Sequence, residues 1–436
     1  MQKAFKKRKE ILTKLGIEKL NEMQEQATLA ISSTSNIVLL SPTGTGKTLA
    51  FLLPIFEKLD PNIEGVQVLI IVPTRELALQ IELVIRNMGS GVKVNALYGG
   101  RPFAKDLIDL NHTPTFVIGT PGRISDHIKR KTIASKTIKT LVLDEFDKSL
   151  EIGFESAMRI IVSGLTALDN RILTSATQGV EIPSFVDLIN PVTVDFSEEI
   201  VSNLEMKSVI SSDKDKLESL VQLICHIGNQ PCIIFCNYKD TINWLSDFLT
   251  EKYIAHGCFY GGMDQKDRER ALIKFRNGTH QILIATDLAA RGIDVPEIQY
   301  IIHYQLPLKA HEFTHRNGRT ARMNSNGTAY VLQWREETLP EYINKIAIEK
   351  IQKRPLPKAL QWKTLFVSGG RKDKISKGDI AGLFFKKGNI SKDELGVIEL
   401  KQDCAFVAVA SSKADSLIKA LNNERIKSRK VRIYLV

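Results

Sequence analysis

The residues SPTGTGKT, at 41–48, have the types and spacing to hold a phosphate chain. Gly44 and Gly46 permit tight turns and close backbone approach. Loop N–H groups and the start of a following helix then form an anion pocket. Lys47 would meet the β- and γ-phosphates, and Thr48 would ligand Mg²⁺. The strict form of such a loop has Gly where Ser41 stands, but GKT after an apolar strand still points to an NTP site. A second group is LVLDEFDKSL, at 141–150, which sets Asp144, Glu145 and Asp147 behind another apolar run. Asp144 could hold Mg²⁺ through water, and Glu145 could orient or deprotonate an attacking water. Alone, the two acids would read as a surface helix cap; the phosphate loop upstream favours chemistry. Phe146 is a large apolar residue in the middle of them; the motif reads as a working acidic site in which Phe146 is an altered packing residue, facing away from the nucleotide and into the layer between sheet and helices.

These groups need elements to bring them together. NIVLL (36–40), VQVLIIV (66–72), TFVIGT (115–120), KTLVLDE (139–145) and RILTSAT (171–177) read as strands buried on both faces. Helix-length stretches such as 74–88 lie between them. This is the pattern of a parallel α/β sheet, whose strand C-terminal ends converge on a ligand crevice. The pattern pauses over 190–215, which reads as a linker, and resumes with CIIFCN (232–237), QILIATD (281–287), YIIHY (300–304) and TAYVLQW (328–334). Two α/β halves therefore stand in tandem. QKRPLPKALQW, at 352–362, carries two prolines and marks another boundary. Beyond it, KTLFVSGG and DCAFVAVA read as strands and 377–385 and 413–421 as helices, giving a small α+β sandwich. The expected domains are 1–198, 199–345, a linker at 346–362, and 363–436.

The bulk properties agree. With 436 residues, 43% hydrophobic and 25% charged, the chain has the composition of a soluble protein of two or three domains. A net charge of +11 favours polyanionic partners. Residues 363–436 hold sixteen Lys and Arg against eight Asp and Glu, so the basic excess concentrates there. Five cysteines without a CxxC pair argue against zinc or a disulfide framework and suit a reducing compartment. No apolar run approaches the ~20 residues needed to span a bilayer, and the N-terminal MQKAFKKRKE is no secretory signal. A cytoplasmic protein without a membrane partner is expected.

Taken in order, Gln24, SPTGTGKT (41–48), PTRELA (73–78), Gly99-Gly100, TPGR (120–123), DEFD (144–147), SAT (175–177), IIFCN (233–237), ATDLAARGID (285–294) and HRNGRTAR (315–322) resemble the DEAD-box family of superfamily 2 RNA helicases. Any one of these is weak; ten in order over 1–345 are specific. The resemblance implies two RecA-like domains and ATP with Mg as cofactors. The nucleotide would contact Gln24 at its adenine, then Ser41, Pro42, Thr43, Gly44, Thr45, Gly46, Lys47 and Thr48, with Asp294 at the ribose. A carboxamide such as that of Gln24 can donate and accept at once. Catalysis would fall to Lys47, Asp144, Glu145, Ser175, Thr177, His315, Arg319 and Arg322. Of these, Arg319 and Arg322 resemble arginine fingers, Ser175 and Thr177 couple the acidic motif to closure, and His315 bridges toward it. RNA phosphates and sugars would meet Thr74, Arg75, Gly100, Thr120, Gly122 and Arg123 in the first half, and Asn237, Gln265, Arg268 and Thr286 in the second. Three departures stand out. Leu20 and Glu22 occupy places where prolines are common, with Phe5 the only upstream aromatic. Ala321 replaces the usual Gly. Phe146 replaces the Ala of the family's namesake.

Residues 363–436, through SGGRKDKISKGDIAGLF and KSRKVRIYLV, resemble the RRM-like RNA-binding domain of DbpA-type DEAD-box proteins. This implies a structured RNA partner, with ribosomal RNA and large-subunit assembly as the leading target. Arg371, Lys372, Lys374 and Lys377 cluster at a Gly-rich turn and form a plausible phosphate grip. Phe406 could stack a base, but an RRM ordinarily shows more aromatics. A core position suits Phe406 better, and the sheet face need not be the main RNA surface. The reading is a monomeric ATP-dependent RNA helicase. An RNA clamp with little turnover should lack Lys47, Glu145 or the arginines, and all are present. PTRELA, SAT and the tail argue against a DNA translocase.

Overall fold

The computed structural model describes residues 7–149, 153–176, 178, 181–197, 204–287, 295, 298–321, 326–343, 346–357 and 360–436. Of the residues singled out above, Phe5, Thr177, Asp294 and Arg322 lie outside these.

The chain forms two compact units. In the first, strands β1 (Asn36–Leu40), β2 (Val68–Ile71), β3 (Val94–Leu97), β4 (Phe116–Gly119), β5 (Thr140–Asp144), β6 (Asn170–Ser175) and β7 (Val192–Asp195) make one parallel sheet, in the order β3-β4-β2-β5-β6-β1-β7. The apolar runs are strands because helices cover both faces and bury their apolar side chains. Ile70, Val142 and Ile172 serve the core on one face; Leu69, Leu141 and Leu173 serve the other.

The second unit holds β8 (Leu204–Ser211), β9 (Cys232–Phe235), β10 (His256–Phe259), β11 (Ile282–Ala285), β12 (Tyr300–His303), β13 (Gly327–Trp334) and β14 (Ala347–Ile348). This sheet is also parallel, in the order β10-β11-β9-β12-β13-β8-β14. Strand for strand, that repeats the first order.

The same unit carries an antiparallel sheet β16-β17-β15-β20, from β15 (Trp362–Val367), β16 (Leu395–Leu400), β17 (Ala405–Ala410) and β20 (Ile433–Leu435). A small hairpin, β18 (Arg425–Ile426) with β19 (Arg429–Lys430), precedes β20. Helices Lys377–Lys386 and Ala414–Leu421 pack on Leu365, Val367, Ala405, Val407 and Ile433. Alternation puts Thr364, Phe366, Phe406 and Ala408 on the opposite face. The architecture is thus the expected one: two RecA-like sheets in tandem and a small RRM-like α+β domain. Among the described residues, no helix is long and apolar enough to cross a membrane.

The expected linker over 190–215 needs correction. Val192–Asp195 pairs with β1 as an edge strand, and Leu204–Ser211 is an inner strand beside β13. Edge strand β7 buries only Val194, so its sequence lacks the apolar run that marks an inner strand.

Candidate functional site

The phosphate loop leaves the end of β1, and the helix Lys47–Glu57 follows it. Gly44 and Gly46 both have φ 89°, in the left-handed region that glycine enters without steric cost. Gly46 has a second reason to be glycine: a Cβ there would stand 2.5 Å from Gln24 Nε2. Gln24 and Asn21 form a capping box that starts the helix Glu22–Ser33. The same two side chains reach the loop, Asn21 Nδ2 donating to Thr45 O at 3.0 Å and Gln24 Nε2 to Gly46 O at 3.3 Å. Prolines are not needed for this entry: Asn21 caps the helix and Leu20 packs on the core. Ser41, where strict loops have Gly, is buried, and its hydroxyl lies 2.7 Å from that of Thr45. The Thr45 hydroxyl also donates to Pro42 O at 2.9 Å. Lys47 Nζ donates to the carbonyls of Ser41 and Pro42, so the ammonium sits inside its own loop. Thr43 and Thr48 are half-buried in the loop and the first helical turn.

Asp144 ends β5, one strand removed from β1, and β6 lies between them. Its Oδ1 accepts from the Thr174 hydroxyl of β6 and, at 3.1 Å, from the Glu145 amide. Burial pushes the Asp144 carboxyl up to about 6, and the Glu145 charge adds to this. The Thr174 hydroxyl, Lys47 and the Glu145 amide oppose the rise. Glu145 has φ 50°, unusual for a residue with a side chain, at a cost of about 1–2 kcal/mol. That turn lets the Glu145 carbonyl accept from Lys148 N and Ser149 N, starting the short helix Phe146–Ser149. Glu145 Oε2 is buried without a hydrogen-bond partner among the described residues. Phe146 is 2% exposed and belongs to the core on one sheet face. The motif is intact in its acids and altered only in its packing residue. Ser175, buried at the end of β6, accepts from Ser41 N at 3.0 Å. The loop, the acidic pair and Ser175 therefore share the ends of β1, β5 and β6.

The residues expected to meet RNA occupy the other half of that sheet edge. Thr74 follows β2 and caps the helix Arg75–Met88, its Oγ1 accepting from Leu77 N at 3.2 Å. Thr120, Gly122 and Arg123 begin the helix after β4. Gly100, φ 87°, follows β3 under the Arg75 guanidinium, which a Cβ there would strike. Beneath them is a cluster that sequence reading missed. Asp106 is fully buried, with Arg101 Nε at 2.9 Å, Arg123 Nε at 3.1 Å and His127 Nε2 at 3.2 Å. Arg123 Nε also donates to Tyr98 O at 3.1 Å, and Phe103 stacks on His127 at 4.5 Å. Nothing in the spacing of Asp106 marks it; only the packing of its helix on the Arg123 helix does.

The second sheet divides in the same way. Asn237 follows β9, Thr286 follows β11, and Gln265 and Arg268 open the helix Gln265–Arg276 after β10. The Arg268 guanidinium lies 4.7 Å from the Phe259 ring centroid. His315 and Arg319, both buried, come after β12. Between the two sets stands Arg316, also missed, though it lies inside HRNGRTAR. It is 1% exposed and makes a bidentate pair with Asp287, both contacts 2.6 Å. It also donates to Gln305 O at 2.5 Å and Asn237 Oδ1 at 2.8 Å. Asn237 Nδ2 donates to Leu306 O at 2.9 Å, so this side chain is engaged within its own domain. Ala321 has φ 53°, which accounts for the Gly usual there. Alanine carries about 1–2 kcal/mol of backbone cost at such a position, offset in part by a buried methyl.

In the last domain, Arg371, Lys372, Lys374 and Lys377 are all exposed around a short turn and a helix start. The β18–β19 hairpin adds to them: Lys427 Nζ donates to Lys374 O at 2.6 Å and pairs with Asp379 at 2.8 Å. Phe406 is 5% exposed.

Comparison with known proteins gives the family to which the chain is similar. The DEAD/DEAH box helicase family matches residues 21–184, the helicase conserved C-terminal domain 215–324, and the DbpA RNA binding domain 364–435. ATP-dependent RNA helicase DbpA of Bacillus subtilis (strain 168) is 30% identical, covering 96% of this chain and 95% of the relative. The protein of the same description from Escherichia coli (strain K12) is 29% identical, covering 98% and 96%. Among solved structures, S. cerevisiae Dbp5 bound to RNA and ADP BeF3 aligns with TM-score 0.68 and 26% identity, over 76% of this chain and 88% of that one.

Proposed function

The chain belongs to the DEAD-box ATP-dependent RNA helicases and is of the DbpA type, and on that premise we propose how its residues divide the work. The observation that supports the division is the split of each sheet edge. In the first sheet the nucleotide set sits on β5-β6-β1 and the RNA set on β3-β4-β2, and the second sheet repeats the pattern.

ATP binds over the loop, with Gln24 toward the adenine, 41–48 around the phosphates and Asp294 at the ribose. Lys47 leaves its loop carbonyls for the β- and γ-phosphates. The donors near them are hard oxygens: the Thr48 hydroxyl, the buried Asp144 and the unpartnered Glu145 Oε2. That set suits Mg²⁺, which takes one or two carboxylates, water and phosphate. Thr48 and Asp144 would hold it, Asp144 through water, and it would supply charge neutralisation on the phosphates. Glu145 orients the attacking water and takes its proton. Arg319 and Arg322 stabilise the charge on the transferring phosphoryl group, with His315 bridging and Ser175 and Thr177 coupling.

A single RNA strand runs along Thr74, Arg75, Gly100, Thr120, Gly122 and Arg123, and along Asn237, Gln265, Arg268 and Thr286. Helix starts and small residues suit backbone contacts that ignore base identity. The basic turn at 371–377 tethers the enzyme to a structured RNA, for which ribosomal RNA of the assembling large subunit is the leading target. The working form is a cytoplasmic monomer.

Glu145→Gln tests the assignment. RNA-stimulated ATP turnover should fall by about 10²–10⁴, the usual worth of a general base, while ATP and RNA still bind. Turnover equal to the parent chain would sink the role given to Glu145.

A further inference from the structure

The helix Gln265–Arg276 does two things at its two ends. Gln265 and Arg268, of the RNA set, open it; Arg276 closes it. Arg276 donates from Nε to Glu399 Oε1 at 2.6 Å and from Nη2 to Glu399 Oε2 at 2.8 Å. Glu399 lies on β16 of the C-terminal domain, and the two side chains are only 23% and 17% exposed. A bidentate guanidinium–carboxylate fork fixes direction as well as distance. Two turns earlier on the same helix, Glu269 pairs with Lys401 at 2.7 Å.

Neutral contacts complete the patch. Asn277 Nδ2 donates to Thr364 Oγ1 at 3.2 Å, and the hydroxyls of Thr279 and Thr364 are 2.7 Å apart. Thr364 is fully buried although it faces away from the domain's own helices. Trp362 packs over Gly278, where a Cβ would stand 3.3 Å from Trp362 Cδ1. Ala408, on the same sheet face, is also buried. This is the face on which an RRM ordinarily stacks bases. Here Phe366 stacks on Tyr434 at 4.7 Å, while Trp362, Thr364 and Glu399 of the same face meet the second motor domain. The basic residues 371, 372, 374 and 377 remain exposed.

We propose that this sheet face is a docking surface for the second motor domain, with Arg276 and Glu399 as positioning residues. The dock holds RNA bound at the basic turn in one fixed relation to the strand path at Gln265 and Arg268. It converts a tether into a ruler that presents one neighbouring duplex to the motor. The inference rests on the tether reading given above.

The test uses the full chain as Arg276→Glu, Glu399→Arg and the double exchange. Hydrogen exchange over 265–276 and 395–400 should rise in each single variant and return to the parent level in the double. ATPase stimulation by a large-subunit ribosomal RNA transcript should lose about tenfold in maximal rate in the singles and recover in the double. Half-saturation by that transcript, and stimulation by poly(U), should hold. Unchanged exchange in the singles would overturn the dock. Raised exchange with undiminished transcript-stimulated turnover would overturn the positioning role. A parent chain that answers transcript and poly(U) alike would refute the tether reading instead, and the exchange data then decide the dock alone.

Discussion

Phe146→Ala would restore the family's namesake motif, and it should harm the protein. Phe146 is 2% exposed and contributes to the core that also holds Leu143, Ile161 and Leu173. A buried Phe removes roughly 150–250 Å² from water, worth about 4–6 kcal/mol at ~25 cal/mol per Å². Alanine retains part of that, and the cavity adds back, so about 3–5 kcal/mol is the expected loss. For a unit of this size, each kcal/mol moves Tm by about 2–4 °C. The first unit should therefore melt roughly 10 °C lower. Chemistry should survive: the ring is buried in the core on one sheet face, and Asp144 keeps its contacts to the Thr174 hydroxyl and the Glu145 amide. Calorimetry of the full chain, beside ATP turnover per folded molecule well below the melt, separates the two effects. A Tm within about 2 °C of the parent would refute the packing argument. Lost turnover with the fold intact would show that Phe146 serves the site itself.

Asp106→Asn removes the buried charge that holds Arg101, Arg123 and His127. It should raise the RNA concentration for half-maximal ATPase by about tenfold or more, with ATP half-saturation unchanged, and lower stability by roughly 3–5 kcal/mol. Unaltered RNA half-saturation in binding and ATPase titrations would contradict this. His303, fully buried and donating toward Asn317 Oδ1 at 2.9 Å, has its pKa pushed down to about 3 by burial, with the Arg316 charge adding. Because the folded pKa lies below the unfolded ~6.5, the unfolded chain binds more protons between these values, so stability is lost as pH falls from 6.5 toward 3. At pH 5 the loss is about 2 kcal/mol, and His303→Gln should flatten that slope in melts compared at pH 5 and pH 7. An unchanged slope would exclude His303 as its source.

Inner strands such as β1 and β9 were legible because most positions of a strand covered on both faces are apolar, as in NIVLL and CIIFCN; the inner strand β8, LEMKSVIS, buries only Ser208, Val209 and Ser211 and was not. Strands with one open face or a polar residue inside gave no such run. β3 contains Asn95, β10 is HGCF, β7 is exposed at three of four positions, and β16 buries none of its six fully. The candidate site was legible where its expected residues are consecutive, as in the loop 41–48. It was illegible where the partner is distant in sequence, as for Thr174 beneath Asp144 or Asp106 beneath Arg123. Backbone conformation was hidden too. Nothing in DEFD announces that Glu145 turns left-handed, and Ala321 in place of Gly acquires meaning only with its φ of 53°.

The two illegible clusters have the same construction. Asp106 gathers arginines under the loops after β3 and β4, and Asp287 holds Arg316 between the ends of β9, β11 and β12. Buried ion pairs add little net stability compared with apolar packing, so their presence at the two edges proposed to meet RNA calls for another cause. A strand read without regard to base must be held through phosphates and sugars. Grip then depends on where backbone amides and short side chains stand, and side-chain variety cannot correct an error in their position. A buried guanidinium with a carboxylate and several carbonyls around it has one geometry that satisfies all of them. Fixing several loops at once is what such a group does better than leucine. By this argument, loss of either carboxylate should loosen RNA binding on its own sheet edge and leave the β5-β6-β1 edge, the proposed nucleotide side, undisturbed.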